Sequence, residues 1–137
     1  MELKKLEADF RAWLKSHLKQ NGCEVTNIES STKNGIPDVF VQHPNFCCWL
    51  ELKAYEKPQP PLMRKEQRIW LLRHKMHGGN GAILSFGKCQ ALVEFYSAEI
   101  KEVQYVGNYL RIIDPPILFS HKTGVFEGLK KIFIPTL

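Results

Sequence analysis

The ten residues from Phe46 to Tyr55, FCCWLELKAY, constrain this chain more than any other stretch. They follow a turn signal, His43-Pro44-Asn45, and their aromatic and aliphatic content reads as a β-strand. With a side-chain period of two, Cys47, Trp49, Glu51 and Lys53 share one face, and Cys48, Leu50 and Leu52 share the other. Two opposite charges therefore project together from an otherwise apolar strand. A structural ion pair explains that as readily as a catalytic role does, so the surrounding elements have to decide.

Upstream, Leu3, Leu6, Phe10, Trp13, Leu14 and Leu18 recur at spacings of three and four from Glu2 to Gln20, the pattern of an amphipathic helix ended by Asn21-Gly22. Glu7 falls within about 20° of Leu14 and Leu18 around that helix, at the margin of its apolar stripe. Such a carboxylate either reaches water or points at a site beneath the helix. Cys23 to Ile28 reads as a first strand, 29–35 as a polar loop, and Pro37 to Gln42 as a second strand that pairs in a hairpin with Phe46 to Tyr55. Downstream, Lys57-Pro58-Gln59-Pro60-Pro61 leads into a helix from about Leu62 to His77, with Pro61 suited to its first turn. The Gly78-Gly79-Asn80-Gly81 run ends it, and strands follow at Ala82 to Phe86 and Ala91 to Tyr96. Residues 97–104 read as a short helix. Tyr109 to Ile113, Ile117 to Phe119 and Lys131 to Ile134 are short apolar runs separated by Asp114-Pro115-Pro116 and by Gly124 and Gly128, which read as breakers; the runs are read as extra strands or an arm on the core.

At 137 residues, 44% of them hydrophobic and 24% charged, the chain is expected to be one folded domain, with a core over about 2–96 and an extension over 97–137. It shows no signal-peptide pattern and no apolar run near the roughly 18 residues that cross a bilayer, so an intracellular, soluble protein is expected. The cytoplasm is the default compartment, with a nucleus or a host cytoplasm also open. Cys23, Cys47, Cys48 and Cys89 form no CxxC pair and read as reduced core thiols. His74, His77 and Cys89 lack a fourth ligand for zinc. The charge is unevenly placed. Residues 53–77 hold seven Lys and Arg against two acids, a net of +5, while the rest balances at twelve against twelve. A basic segment of this kind suits either a solvated helix face or a polyanion-binding one.

Asp38 opens one strand while Glu51 and Lys53 lie near the end of its hairpin partner, so three ionisable groups converge on one part of a sheet. Phosphodiester hydrolysis needs an activated water, charge stabilisation on the phosphoryl oxygens, and help for the leaving alkoxide. Two carboxylates and the Leu52 carbonyl between the charged residues offer hard oxygen ligands to Mg²⁺. Lys53 sits two residues from Glu51 on the same face, placed to orient or deprotonate the attacking water.

Gly35-Ile36-Pro37-Asp38, a short hairpin, and Trp49-Leu50-Glu51-Leu52-Lys53-Ala54 together resemble the signature of the PD-(D/E)XK nuclease superfamily. The resemblance spans roughly residues 5 to 86 and is strongest to VRR-NUC domain nucleases and to archaeal and phage Holliday-junction resolvases. It implies an α/β (α+β) fold with a restriction-endonuclease-like core, a mixed central sheet flanked by helices in the order αβββαβ, and a C-terminal extension. It further implies a Mg²⁺ cofactor, replaceable by Mn²⁺, held by Asp38, Glu51, the Leu52 carbonyl and Glu7. Glu2 is the second acid on the first helix that could take the place of Glu7. Lys53 would be the catalytic lysine and Gln67 an accessory residue of the catalytic set. Ser31 and Lys33 of the polar loop, with Arg64, Lys65, Arg68 and Arg73, would contact DNA. The expected activity is structure-selective endonucleolytic cleavage of branched DNA by a homodimer, as in DNA repair and recombination or in a phage. The alternatives are a nuclease-fold module that binds nucleic acid without cutting it, and a nuclease acting on RNA or on linear DNA.

Overall fold

The computed structural model describes residues 2–28 and 35–134, with the side chains of Glu2 and Leu3 outside that description. Helix α1 (Glu2–Gln20) is followed by strands β1 (Glu24–Asn27), β2 (Val39–His43) and β3 (Phe46–Tyr55). A two-residue strand β4 (Leu62–Met63) leads into helix α2 (Lys65–Met76), and then come β5 (Gly81–Gly87), β6 (Leu92–Ser97), β7 (Val103–Val106), β8 (Tyr109–Ile112), β9 (Leu118–His121) and helix α3 (Val125–Phe133). A mixed six-stranded sheet runs β1-β2-β3-β5-β6-β9, and β4, β8 and β7 form a second, three-stranded sheet. Only β3 and β5 are parallel in the large sheet, as expected for two strands joined by a helical crossover.

The period of two along β3 divides the core. Cys48, Leu50, Leu52 and Ala54 pack with Phe10, Leu14 and Leu18 of α1 and with Leu129 of α3. On the opposite face, Ile83 and Tyr96 pack with Leu71 of α2 and with Met63 and Ile112 of the small sheet. Each face of the large sheet is thus covered by its own layer, which is why β5 is buried along its whole length.

Several expectations are corrected. The second helix begins at Lys65 rather than near Leu62, because Leu62 and Met63 pair with Arg111 and Leu110, and Pro61 accepts a hydrogen bond from Ile112 N instead of opening the helix. Residues 97–104 form no helix; β7 starts at Val103 within them. Lys131 to Ile134 is not a strand, since it lies mostly in α3, a helix packed on the core. Gly124 and Gly128 read as breakers, yet Gly128 lies inside that helix, where a Cβ would stand 2.7 Å from Phe95 Cζ. The glycine there answers to close packing rather than to a turn. Of the four thiols, Cys23 and Cys48 are buried as core residues whereas Cys47 and Cys89 are exposed. Among the described residues no helix is long and apolar enough to cross a membrane.

Candidate active site

The large sheet has a notch. The β2–β3 ladder ends at Val39 opposite Leu50, while β3 continues to Tyr55. Beyond that point the edge of β3 that β2 would have covered has no strand partner among the described residues, and the Asp38 side chain fills the first gap, its Oδ2 accepting from Leu52 N at 2.8 Å. The N–H and C=O of one strand residue project to the same side, so the Leu52 carbonyl faces this edge too. That is the geometry the ligand assignment for Leu52 requires.

The notch opens into a cleft of ≈ 590 Å³ lined by residues of α1, β3, α2 and β8. Asp38, Glu51, Lys53, Glu7, Gln67 and Arg64, all expected at the site, lie together in it. Glu51 is only 2% exposed. Gln67 ties the group together: its Nε2 donates to Glu51 Oε2 at 2.8 Å, and its Oε1 accepts from Lys53 Nζ at 3.3 Å and from Arg64 N at 2.9 Å. The backbone N–H of Arg64 can only donate, so the amide has one possible orientation and its NH₂ must meet the carboxylate. Lys53 Nζ also stands 3.4 Å from Glu51 Oε2.

The other carboxylate oxygen, Glu51 Oε1, is buried and has no hydrogen-bond partner among the described residues. A bare buried acceptor of this kind costs on the order of 1–3 kcal/mol. Burial, then the charge of Asp38, pushes the Glu51 carboxyl up to about 8 against the pull of Lys53. Burial also raises Glu7, with Lys53 opposing and Asp38 adding to the shift, so Glu7 feels both site charges and does not merely reach water. Among the described residues no three His, Cys, Asp or Glu side chains stand together as a ready metal cluster. The donor set still fits a hard divalent cation, which would neutralise crowded carboxylates and give Glu51 Oε1 a partner.

Gly35 explains the start of the first motif. Its φ is +74°, and a Cβ would overlap the Glu66 carbonyl at the first turn of α2. The loop before Asp38 therefore runs backbone to backbone against the helix that carries Gln67. Gly35→Ala is expected to cost about 1–2 kcal/mol for the left-handed backbone and ~1–3 kcal/mol more for overpacking. Urea denaturation checks this, and an unchanged midpoint would contradict the packing described.

The expected DNA contacts divide. Arg64 lines the cleft, and Lys65 and Arg73 are exposed on α2. Arg68 does not line it: its guanidinium donates to Ile100 O at 3.1 Å and its Nε is buried, so it secures the β6–β7 connection to α2. Ser31 and Lys33 lie outside the described residues. Six residues that line the cleft escaped the sequence reading: Lys4, Arg11, Ala54, Tyr55, Leu62 and Tyr109. Lys4 and Arg11 flank Glu7 at helical spacings of three and four and were legible on that ground; Tyr109 comes from β8, and nothing local announced it.

The fold is α+β and is similar to that of the Holliday junction resolvase Hjc from the archaeal hyperthermophile Archaeoglobus fulgidus, with a TM-score of 0.58 over 77% of this chain and 82% of that one. At 13% sequence identity the likeness is one of fold. The sequence matches no family model and none of the curated proteins.

Proposed function

We propose that this chain is a divalent-metal-dependent DNA endonuclease that hydrolyses phosphodiester bonds, selectively in branched DNA. The observation that carries the reading is the convergence of Glu7, Asp38, Glu51 and Lys53 in one cleft, with Glu51 Oε1 buried and without a partner among the described residues. The resolvase-like fold supports the choice of DNA, and Arg64 in the cleft, with Lys65 and Arg73 exposed on α2, supplies cationic groups for phosphate.

Glu7, Asp38, Glu51 and the Leu52 carbonyl would hold Mg²⁺ or Mn²⁺. When bound, the cation supplies Lewis acidity to a phosphoryl oxygen and makes a water a stronger acid. Asp38 keeps β3 in place through Leu52 N, so the carbonyl on that edge is presented without rearrangement. Gln67 holds Lys53 Nζ and Glu51 Oε2 to one amide, which fixes the ammonium over the reacting phosphate. Lys53 orients the attacking water and offsets charge as it grows on the phosphoryl oxygens. Arg64 binds a neighbouring phosphate. A four-way junction needs two cuts at a set separation, so the species proposed to act on it is a homodimer.

Incubating the protein with a labelled four-way junction, a flap, a linear duplex and a single strand, in Mg²⁺ and in Mn²⁺, tests the substrate. Faster cutting of the junction or flap is expected, and equal rates on all four would remove the selectivity from the proposal.

A further inference from the structure

One wall of the cleft belongs to the small sheet. Strand β4 pairs with β8 in the register Leu62↔Arg111 and Met63↔Leu110, and one step further along that register brings Tyr109 beside Arg64. Alternation splits this ribbon into two faces. Met63, Leu110 and Ile112 are buried on one, whereas Leu62, Arg64 and Tyr109 line the cleft on the other. Tyr109 is 49% exposed and sits where β8 leaves the β7–β8 turn. Its neighbour across the hairpin, Val106, shares its face and is also exposed.

An aromatic ring is out of place in a cleft built only for a phosphate. Carboxylates, Lys53 and Arg64 cover the needs of the phosphodiester, and a ring offers a phosphate nothing that a cation does not. What a ring offers is a stacking surface, and every nucleobase has a complementary π-face. In continuous duplex those faces are covered by neighbouring base pairs and the backbone presents phosphate and sugar. A ring placed beside a phosphate-binding Arg meets a base face only where the strand is unpaired. Resting on the nuclease reading above, we propose that Tyr109 stacks on the unpaired base of the nucleotide next to the scissile phosphate. The β7–β8 hairpin is then the element that selects branch points and single-stranded ends over continuous duplex.

The test uses the full chain with Ca²⁺ as the divalent ion and two DNA probes. One is a fork carrying 2-aminopurine at its first unpaired nucleotide, and the other is the same strand fully paired. Wild-type protein is expected to bind the fork more tightly and to quench its 2-aminopurine emission. Tyr109→Ala should weaken fork binding roughly ten-fold or more, the scale of stacking one base on a ring, abolish the quench, and leave duplex binding unchanged. Tyr109→Phe and Tyr109→Trp should behave as wild type. Equal losses on fork and duplex with Tyr109→Ala, or a loss with Tyr109→Phe as large as with Tyr109→Ala, would overturn the stacking role while leaving the nuclease reading intact. Wild-type protein that binds neither DNA would overturn both.

Discussion

Glu51→Gln and Lys53→Ala are each expected to lower the rate of DNA cleavage by about 10²- to 10⁴-fold, the scale of losing a positioned acid–base or charge-stabilising group. Binding to the same DNA should survive. The two variants fail for different reasons. Glu51 is 2% exposed and its carboxylate has only Gln67 and Lys53 as hydrogen-bond or ion-pair partners among the described residues, so Gln at this position keeps an amide oxygen for Gln67 Nε2 and loses the charge. Lys53→Ala leaves the carboxylates intact and removes the cation beside them. Because neither group is placed to hold DNA remote from the cut, the loss should fall on kcat rather than KM. A measurement in which KM rises while kcat holds would assign both residues to binding.

The second large effect is on stability and has the opposite sign. With its carboxyl at about 8 in the folded protein against 4.5 in the unfolded chain, Glu51 favours the folded state fully below pH 4.5. That contribution is lost as pH rises through about 8, because the folded protein then has to give up a proton it binds more tightly than the unfolded chain does. Glu7 is raised in the same direction. Without divalent cation the protein should therefore lose stability between pH 5 and pH 8, by up to roughly 1.4 kcal/mol per pH unit over that window. Glu51→Gln should flatten the dependence and melt above the wild type at pH 8, a case of stability gained where function is given up. Mg²⁺ should raise the melting temperature of the wild type more at pH 8 than at pH 5, since the ionised carboxylates are its ligands. A wild-type melting temperature that climbs from pH 5 to pH 8 in the absence of metal would contradict this account of the cleft.

The site and the fold were legible to different depths, for physical reasons. The strand from Phe46 to Tyr55 is the one expected, residue for residue, because ten residues of alternating pattern bounded by a turn carry their own register. The positions of Asp38, Glu51 and Lys53 follow from that strand and its hairpin partner. Glu7 was readable only as a carboxylate at the margin of an apolar stripe; its closeness to Lys53 depends on where α1 crosses the end of β3. The small sheet was readable only in part: the run Tyr109 to Ile113 forms β8, as one of the extra strands expected, but β4 and β7 gave no signal. Strands of two to four residues hold too little periodicity, and the pairing of Leu62 with Arg111 joins positions far apart in the chain. Arg68 illustrates the same limit, for its helical position suits a phosphate contact as well as it suits Ile100 O, and only the packed chain chooses between them. In α3, glycine was taken as a breaker where it serves as the small residue that lets the helix approach Phe95.

Cleavage itself remains the most direct measurement of the central claim. A labelled four-way junction is incubated with wild-type protein in Mg²⁺ or Mn²⁺, with wild type in EDTA, and with Asp38→Ala purified in parallel. The account predicts cleavage products in the first case and none in the other two, with junction binding retained by the variant. Products formed equally by Asp38→Ala, or none from the wild type with either metal, would contradict it.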